Sequence, residues 1–304
     1  MNDHAHEQLF TLRDWLRFAV SRFEEAGIFY GHGTLNSYDE AVWLILSALH
    51  LPHDTLENFL DAVLTGVERK HLAHLIHRRV LERIPTAYLL REAWLGEFKF
   101  YVDERVIVPR SFLAELLRVQ LSPWVENPEE LVSVADICTG SGCLAILASL
   151  AFQNADVDAI DISDDALAVT RRNIADYGLE DHVHPIKSDM LKALHGKRYD
   201  IIISNPPYVD AHSMETLPQE YRQEPGIALA SGANGLDHTH TLLIQAAEHL
   251  NPGGLLIVEI GHNRDLLETA YPELTFTWLK VSAGDQFVFL LTREQLQNPT
   301  LFIR

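Results

Sequence analysis

The 304-residue chain reads as an α/β protein: a doubly wound, mainly parallel sheet with an antiparallel edge strand, preceded by a small all-helical domain. Three observations predict this. From Leu131 onward, short apolar runs of strand length alternate with amphipathic helical stretches, the rhythm of a parallel sheet covered on both faces. The last two strand-like runs have no helix between them, and parallel neighbours need a long crossover, so that edge pairs antiparallel. Ahead of Pro85, the apolar stripes have the helical period.

Taken in order, Leu9, Leu12, Leu16, Ala19, Val20 and Phe23 mark a first amphipathic helix. Ser37-Tyr38-Asp39-Glu40 has the form of a capping box, and the apolar run from Ala41 to Leu46 predicts a buried helix behind it. Pro52 separates that helix from a further start signal at Asp54 and Glu57. Leu72, Leu75, Ile76 and Val80 form the last stripe, which must end before Pro85 because a proline pushes the preceding residue out of the helical region. Residues 1–85 are therefore expected to form a helical domain. Residues 86–110 form a connector, with a hairpin in the alternating run Trp94 to Val102. Pro109-Arg110-Ser111 opens a helix through Leu117, at the start of the third unit, 111–304. In that unit strands are expected at 131–137, 157–161, 183–187, 199–204, 254–260, 274–280 and 286–292. Helices are expected at 143–152, 164–177, 237–249 and 263–270, with Asp237 as a cap.

Composition narrows the classes. The chain is 47% hydrophobic with mean hydropathy −0.02, and no apolar run approaches the ~20 residues that cross a bilayer. Its start, Met1-Asn2-Asp3-His4-Ala5-His6-Glu7, lacks the basic and apolar stretches of a signal peptide. Two cysteines, Cys138 and Cys143, provide neither a disulfide framework nor a paired zinc motif, so a cytoplasmic address and no metal are expected. His71, His74 and His77 share a helix face without nearby acids or thiols and read as a solvated surface. A net charge of −19 argues against a direct nucleic-acid partner and favours attraction of a basic protein.

The chemistry concentrates after the strands. Asn205-Pro206-Pro207-Tyr208 follows the apolar run 199–204. Two prolines fix φ and donate no hydrogen bonds, so the strand stops there. What remains is a rigid platform of carbonyls beside an Asn amide, suited to a planar amino group whose two N–H it can accept. Asp136-Ile137-Cys138-Thr139-Gly140-Ser141-Gly142 joins the first strand to its helix, where glycines let a ligand approach the backbone. Asp161 ends the next strand, where an acid can accept from ribose hydroxyls. Asp189, in Ser188-Asp189-Met190 after the third strand, can accept from an adenine amino group. The loop lacks the Lys-Ser/Thr of a triphosphate site. Spacing alone allows a nicotinamide dinucleotide, but hydride transfer has no use for the Asn-Pro-Pro cradle. Glu259, an acid on a buried strand, is either a satisfied core residue or a pocket wall.

These residues together resemble the S-adenosylmethionine-dependent methyltransferases of the class I fold, and specifically the branch that methylates glutamine side-chain nitrogen (N5) in proteins. The resemblance covers nearly the whole chain. It extends to Arg83-Ile84-Pro85-Thr86-Ala87-Tyr88, Val108-Pro109-Arg110, Glu220-Tyr221-Arg222-Gln223-Glu224-Pro225 and Gly235-Leu236-Asp237. Within the branch, Pro109-Arg110-Ser111-Phe112-Leu113-Ala114-Glu115, Cys138 in place of Gly and the long N-terminal domain resemble the enzymes acting on large-subunit ribosomal protein number three. Peptide release factors, or less closely adenine in DNA, are the alternative substrates, and a cofactor-binding module without catalysis is the alternative class. The resemblance implies S-adenosyl-L-methionine as cofactor, held by Asp136, Cys138, Thr139, Gly140, Gly142, Asp161, Ile162, Asp189, Met190 and Asn205. It implies catalysis by Asn205, Pro206 and Tyr208, with Arg110, Pro207 and Glu224 also contacting a basic protein substrate of the translation apparatus. The helical domain is then the substrate-recognition domain.

Overall fold

The computed structural model describes residues 5–297. Helices Leu12–Ala26, Ser37–Ala48 and Gly66–His77 pack around Trp15, Phe23, Leu44, Ile45, Leu72 and Ile76. Thr11 caps the first helix in a reciprocal box with Asp14, and Gly27 ends it at φ 58°. The cap of the second is Asn36, whose side chain accepts from Asp39 N, one residue ahead of the expected Ser37. The start signal at Asp54 yields a single turn, Leu56–Phe59, whose Thr55 makes no side-chain cap, and a complete box follows at Thr65 and Glu68. A π-type turn, Arg78–Glu82, carries the chain to Pro85, and the short helix Thr86–Leu90 lies where a plain connector was expected.

β1 (Ala93–Leu95) and β2 (Phe98–Phe100) form the expected hairpin. The following helix, Leu113–Arg118, starts two residues beyond Ser111.

The main sheet contains β3 (Ser133–Ile137), β4 (Asp156–Asp161), β5 (Val183–Lys187), β6 (Tyr199–Ser204), β7 (Leu250–Glu259), β8 (Thr277–Val281) and β9 (Gly284–Thr292) in the order β5-β4-β3-β6-β7-β9-β8. The first five strands pair in parallel, and β9 runs antiparallel to both neighbours. The reversed strand thus lies one position inside the edge. Its run Phe287 to Leu291 is buried on both faces, whereas β8 exposes Lys280 and takes the edge. Alternate strand residues feed two cores: Val134, Val157, Ile201 and Ile203 on one face, Ala135, Ile137, Ile160 and Ile202 on the other. This is the doubly wound α/β architecture expected. The chain winds outward from β3 to β5 and returns to β6, so a ligand crevice opens beyond the carboxyl ends of β3 and β6. Asp237, expected to cap Asp237–His249, is instead its first helical residue and makes no side-chain cap. Among the described residues, no helix is long and apolar enough to cross a membrane.

Candidate active site

The ends of β6 and β3 are tied together, with Ser204 Oγ donating to the Ile137 carbonyl at 2.7 Å. The next residue, Asn205, lines two cavities. One also contains Pro207, together with Cys138, Gly140, Asp161, Ile162, Asp189 and Met190. The other contains Pro206 and Tyr208 with Arg110, Ile107 and Tyr221. Consecutive prolines therefore face opposite chambers, with Asn205 between them. Asn205 Oδ1 is buried and has no hydrogen-bond partner among the described residues. A buried acceptor left unpaired costs about 1–3 kcal/mol, so such an atom in a crevice marks a place for an incoming donor.

On the first side, turns after the strands build the floor, and residues 105–107 and 225–228 close it. Cys138 and Met190 adopt left-handed backbone at φ 62° and 54°, and Gly140 at 57°. A side chain on Gly140 would meet open space, leaving its backbone accessible to a ligand. Asp161 is clamped by Gly140 N and Ser163 N, each at 2.9 Å, and burial raises its pKa despite them. Asp189 is exposed and pairs with Lys192. Asp136, Thr139 and Gly142 do not line the cavity. Asp136 is fully buried, accepting from Thr139 Oγ1 at 2.5 Å and Ala145 N at 3.0 Å. Burial outweighs these bonds and pushes its carboxyl up to about 7. These residues brace the loop from behind, and Gly142 makes room for Thr170, whose Cγ2 would lie 2.8 Å from an added Cβ.

On the second side the wall is assembled from afar. Asn263 Nδ2 donates to the Tyr208 carbonyl at 2.9 Å. A Cβ on Gly261 would come within 2.7 Å of the Tyr208 ring, and one on Gly235 within 2.4 Å of its carbonyl oxygen. Arg110 forks onto Glu224 at 2.6 and 2.8 Å and lies over the Tyr221 ring at 5.1 Å. Glu224 also accepts from Val108 N at 2.9 Å and faces His32 Nε2 at 3.6 Å. Burial would raise its pKa, but the Arg110 charge, its hydrogen bonds and His32 hold it down at about 2. Glu224 is absent from the Asn205 cavities; it supports Arg110 and lines an adjoining chamber beyond Tyr221, with Met214 and Leu217. Glu259 is a satisfied core residue. It accepts from Ser111 Oγ at 2.6 Å and Phe112 N at 2.9 Å, and burial raises it to about 7.

Sequence reasoning missed Tyr221, Ile107, Gly261 and Asn263 as site residues. Tyr221 stood in a matching stretch, and Gly261 follows a strand end, which is a usable signal. Ile107 and the supporting His32 carry none.

The methyltransferase small domain family matches residues 118–221. A protein of Neisseria gonorrhoeae (strain ATCC 700825 / FA 1090) named ribosomal protein uL3 glutamine methyltransferase is 58% identical over 97% of this chain and 99% of its own length. The chain belongs to that family. A relative of the same name from Bordetella pertussis is 51% identical over 98% of this chain and 100% of its own. This family member is thus an S-adenosylmethionine-dependent methyltransferase. The Pro207-side cavity fits that cofactor. It offers open backbone at Gly140, apolar surface from Ile162 and Met190, and carboxylate acceptors at Asp161 and Asp189 for hydroxyl and amino donors of a nucleoside.

Proposed function

We propose that this enzyme methylates the side-chain amide nitrogen (N5) of a glutamine in large-subunit ribosomal protein uL3. The names of the relatives support the substrate, and the observation that carries the site reading is the buried, unpartnered Asn205 Oδ1 between two cavities. S-adenosylmethionine, when bound, supplies a methyl group made electrophilic by its sulfonium. Asp161 would accept from its ribose hydroxyls and Asp189 from its adenine amino group, with Cys138, Gly140, Ile162 and Met190 completing the wall.

An amide nitrogen is a poor nucleophile because its lone pair is delocalised into the carbonyl. Asn205 Oδ1 and the Pro206 carbonyl each accept one of its N–H groups, which enriches the nitrogen and fixes its orientation. The same acceptors stabilise positive charge developing on nitrogen, the cationic counterpart of an oxyanion hole. Holding the amide in near-attack geometry contributes up to ~7–11 kcal/mol in favourable intramolecular cases. Tyr208, held by Asn263 and Gly261, flanks the amide, and Arg110, locked by Glu224, completes the wall. No side chain is assigned as general base, because the proton can leave after transfer.

In this reading residues 1–85 recognise the substrate, 86–110 connect, and 111–304 carry the chemistry. The segment 220–224 is anchored to the helical part by Glu220, which accepts from Phe29 N and Arg83, both at 3.2 Å. The acidic chain attracts a basic ribosomal protein in the cytoplasm without direct nucleic-acid contact. The test is mass spectrometry of reactions containing cofactor and either isolated uL3 or a release factor. A 14-dalton gain (about one CH2, by the group-transfer chemistry above) on a uL3 glutamine alone is expected. A gain on the release factor alone overturns the substrate.

A further inference from the structure

The loop 29–34 joins the substrate-side wall to a further cavity. At one end a Cβ on Gly31 would lie 2.4 Å from the Tyr221 hydroxyl, and the His32 ring lies 4.5 Å from that of Tyr221. At the other end Gly33 and Thr34 line a chamber with Trp43, His53 and Trp94. Three Cα steps of ~3.8 Å separate Gly31 from Thr34, so this chamber begins no more than about 11 Å from the Tyr221 wall.

Its walls are mostly aromatic. Trp43 comes from the helix Ser37–Ala48 and Trp94 from β1, and the His53 ring stands edge-on to Trp94 at 5.4 Å. Behind them Glu92 accepts from Ser47 Oγ at 2.7 Å and from Trp43 Nε1 at 3.4 Å. Ser47 Oγ lies 2.9 Å from His53 Nε2, so the carboxylate, hydroxyl and imidazole form one chain. The cation paired with Glu92 is Lys99, at 3.9 Å, too long for a hydrogen bond. The Glu92 side chain is 20% exposed, and Trp94 remains 39% exposed on its hairpin. Two indoles beside a half-buried, loosely paired carboxylate are the elements of a cation-binding cage. A purely apolar lid over the joint would need no acid there, and Glu92, held against the back of Trp43 and Ser47 rather than in the cavity wall, supplies the negative charge that favours a cation.

We propose that this cage is a second docking site, taking a Lys or Arg side chain of the protein substrate while the target glutamine occupies the cavity at Asn205. The assignment rests on the reading of the substrate as a basic protein. The cation inserts between the indoles and displaces Lys99 from Glu92, which adds affinity for the whole substrate without touching the reacting amide.

The experiment compares the wild-type enzyme with Trp94→Ala and Glu92→Gln. Glutamine still accepts from Ser47 and Trp43, so the second variant removes charge rather than packing. On full-length uL3, KM is expected to rise about fivefold to tenfold in each, as an exposed to partly desolvated cation–π contact implies, with kcat within twofold. On a short glutamine peptide free of basic residues, KM should be the same for all three enzymes. An unchanged KM on uL3, or an equal rise on both substrates, overturns the proposal. A second arm titrates N-acetylarginine amide against tryptophan fluorescence, with N-acetylnorleucine amide as the neutral probe. Saturable quenching by the cation alone, lost in both variants, supports the cage; equal response to both probes overturns it. Should the wild type methylate no form of uL3, the substrate reading falls, and the fluorescence arm still decides whether a cation binds.

Discussion

The cavity on the Pro207 side of Asn205 has its floor in loops that each follow one strand, with residues 105–107 and 225–228 closing it, whereas the cavity on the Pro206 side is built around contacts between distant parts of the chain. In the first, Asp161 is clamped by Gly140 and Ser163, its near neighbours at the ends of β3 and β4. In the second, Arg110 meets Glu224 across 114 residues, and Tyr221 meets Gly31 across 190. The local construction suits a ligand shared by many enzymes, since each contact needs only a strand, a turn and a helix. The long-range construction suits a ligand particular to one enzyme. It joins the Pro206-side cavity to the helical region, where Glu220 accepts from Phe29 N and Arg83.

The electrostatics of the two sides differ in the same way. Asp136, behind the Pro207-side loop, is buried with no cation beside it among the described residues and pushed up to about 7. Glu224, behind the Pro206-side wall, is equally buried but held at about 2 by Arg110 and His32 against the burial.

The largest expected effect lies at the buried pair of Arg110 and Glu224. Arg110→Met leaves Glu224 buried with Val108 N and a more distant His32, and should lower unfolding free energy by about 3–5 kcal/mol. Denaturant melts measure this, and a loss under 1 kcal/mol would mean the pair contributes little to the wall. The pH dependence comes next, and its sign differs between the two sides. The raised native pKa of Asp136 binds a proton the unfolded chain releases, so its contribution is lost as pH rises from about 4 to about 7. The depressed pKa of Glu224 contributes above its unfolded value of 4.5 and is lost as pH falls toward about 2. Each effect is on the order of a few kcal/mol. Melts of Asp136→Asn should therefore flatten the profile between pH 4 and 7, and those of Glu224→Gln the profile below 4.5. Flattening in the opposite windows would reverse the assignment. The smallest effect is backbone relief: Cys138→Gly removes a side chain from φ 62° and should stabilise by about 0.5–1 kcal/mol, visible as a higher melting temperature. No gain would show that the thiol's packing offsets the strain.

What the sequence made legible follows the same division. The alternation after Leu131 exposes the parallel sheet, and Asp161, Asp189 and the loop glycines lie where strand ends place them, because those signals are local. Asp136 and Thr139 read as ligand contacts because a loop's front and back look alike in sequence; only packing distinguishes them. Cys138 carries no conformational signal of its own, and only its standing where related enzymes have Gly points to the left-handed backbone. His32 and Ile107 reach the site only through tertiary folding, with no turn or period to mark them. The position of β9 inside β8 depends on which of two strands buries more apolar surface, a competition that spacing does not decide. Asn36 displaced Ser37 as a cap because both are good caps and only one lies where the helix turns in.

The central claim is that Asn205 Oδ1 serves the reacting amide rather than the fold or the cofactor alone. The direct test is Asn205→Ala, with cofactor affinity by titration calorimetry and turnover on uL3 measured on the same preparation. A cofactor Kd within about tenfold of wild type is expected, with kcat reduced by about 10²–10³, the loss seen when a transition-state hydrogen-bonding group is removed. Turnover within threefold of wild type, or a kcat loss fully explained by loss of cofactor binding, would contradict it.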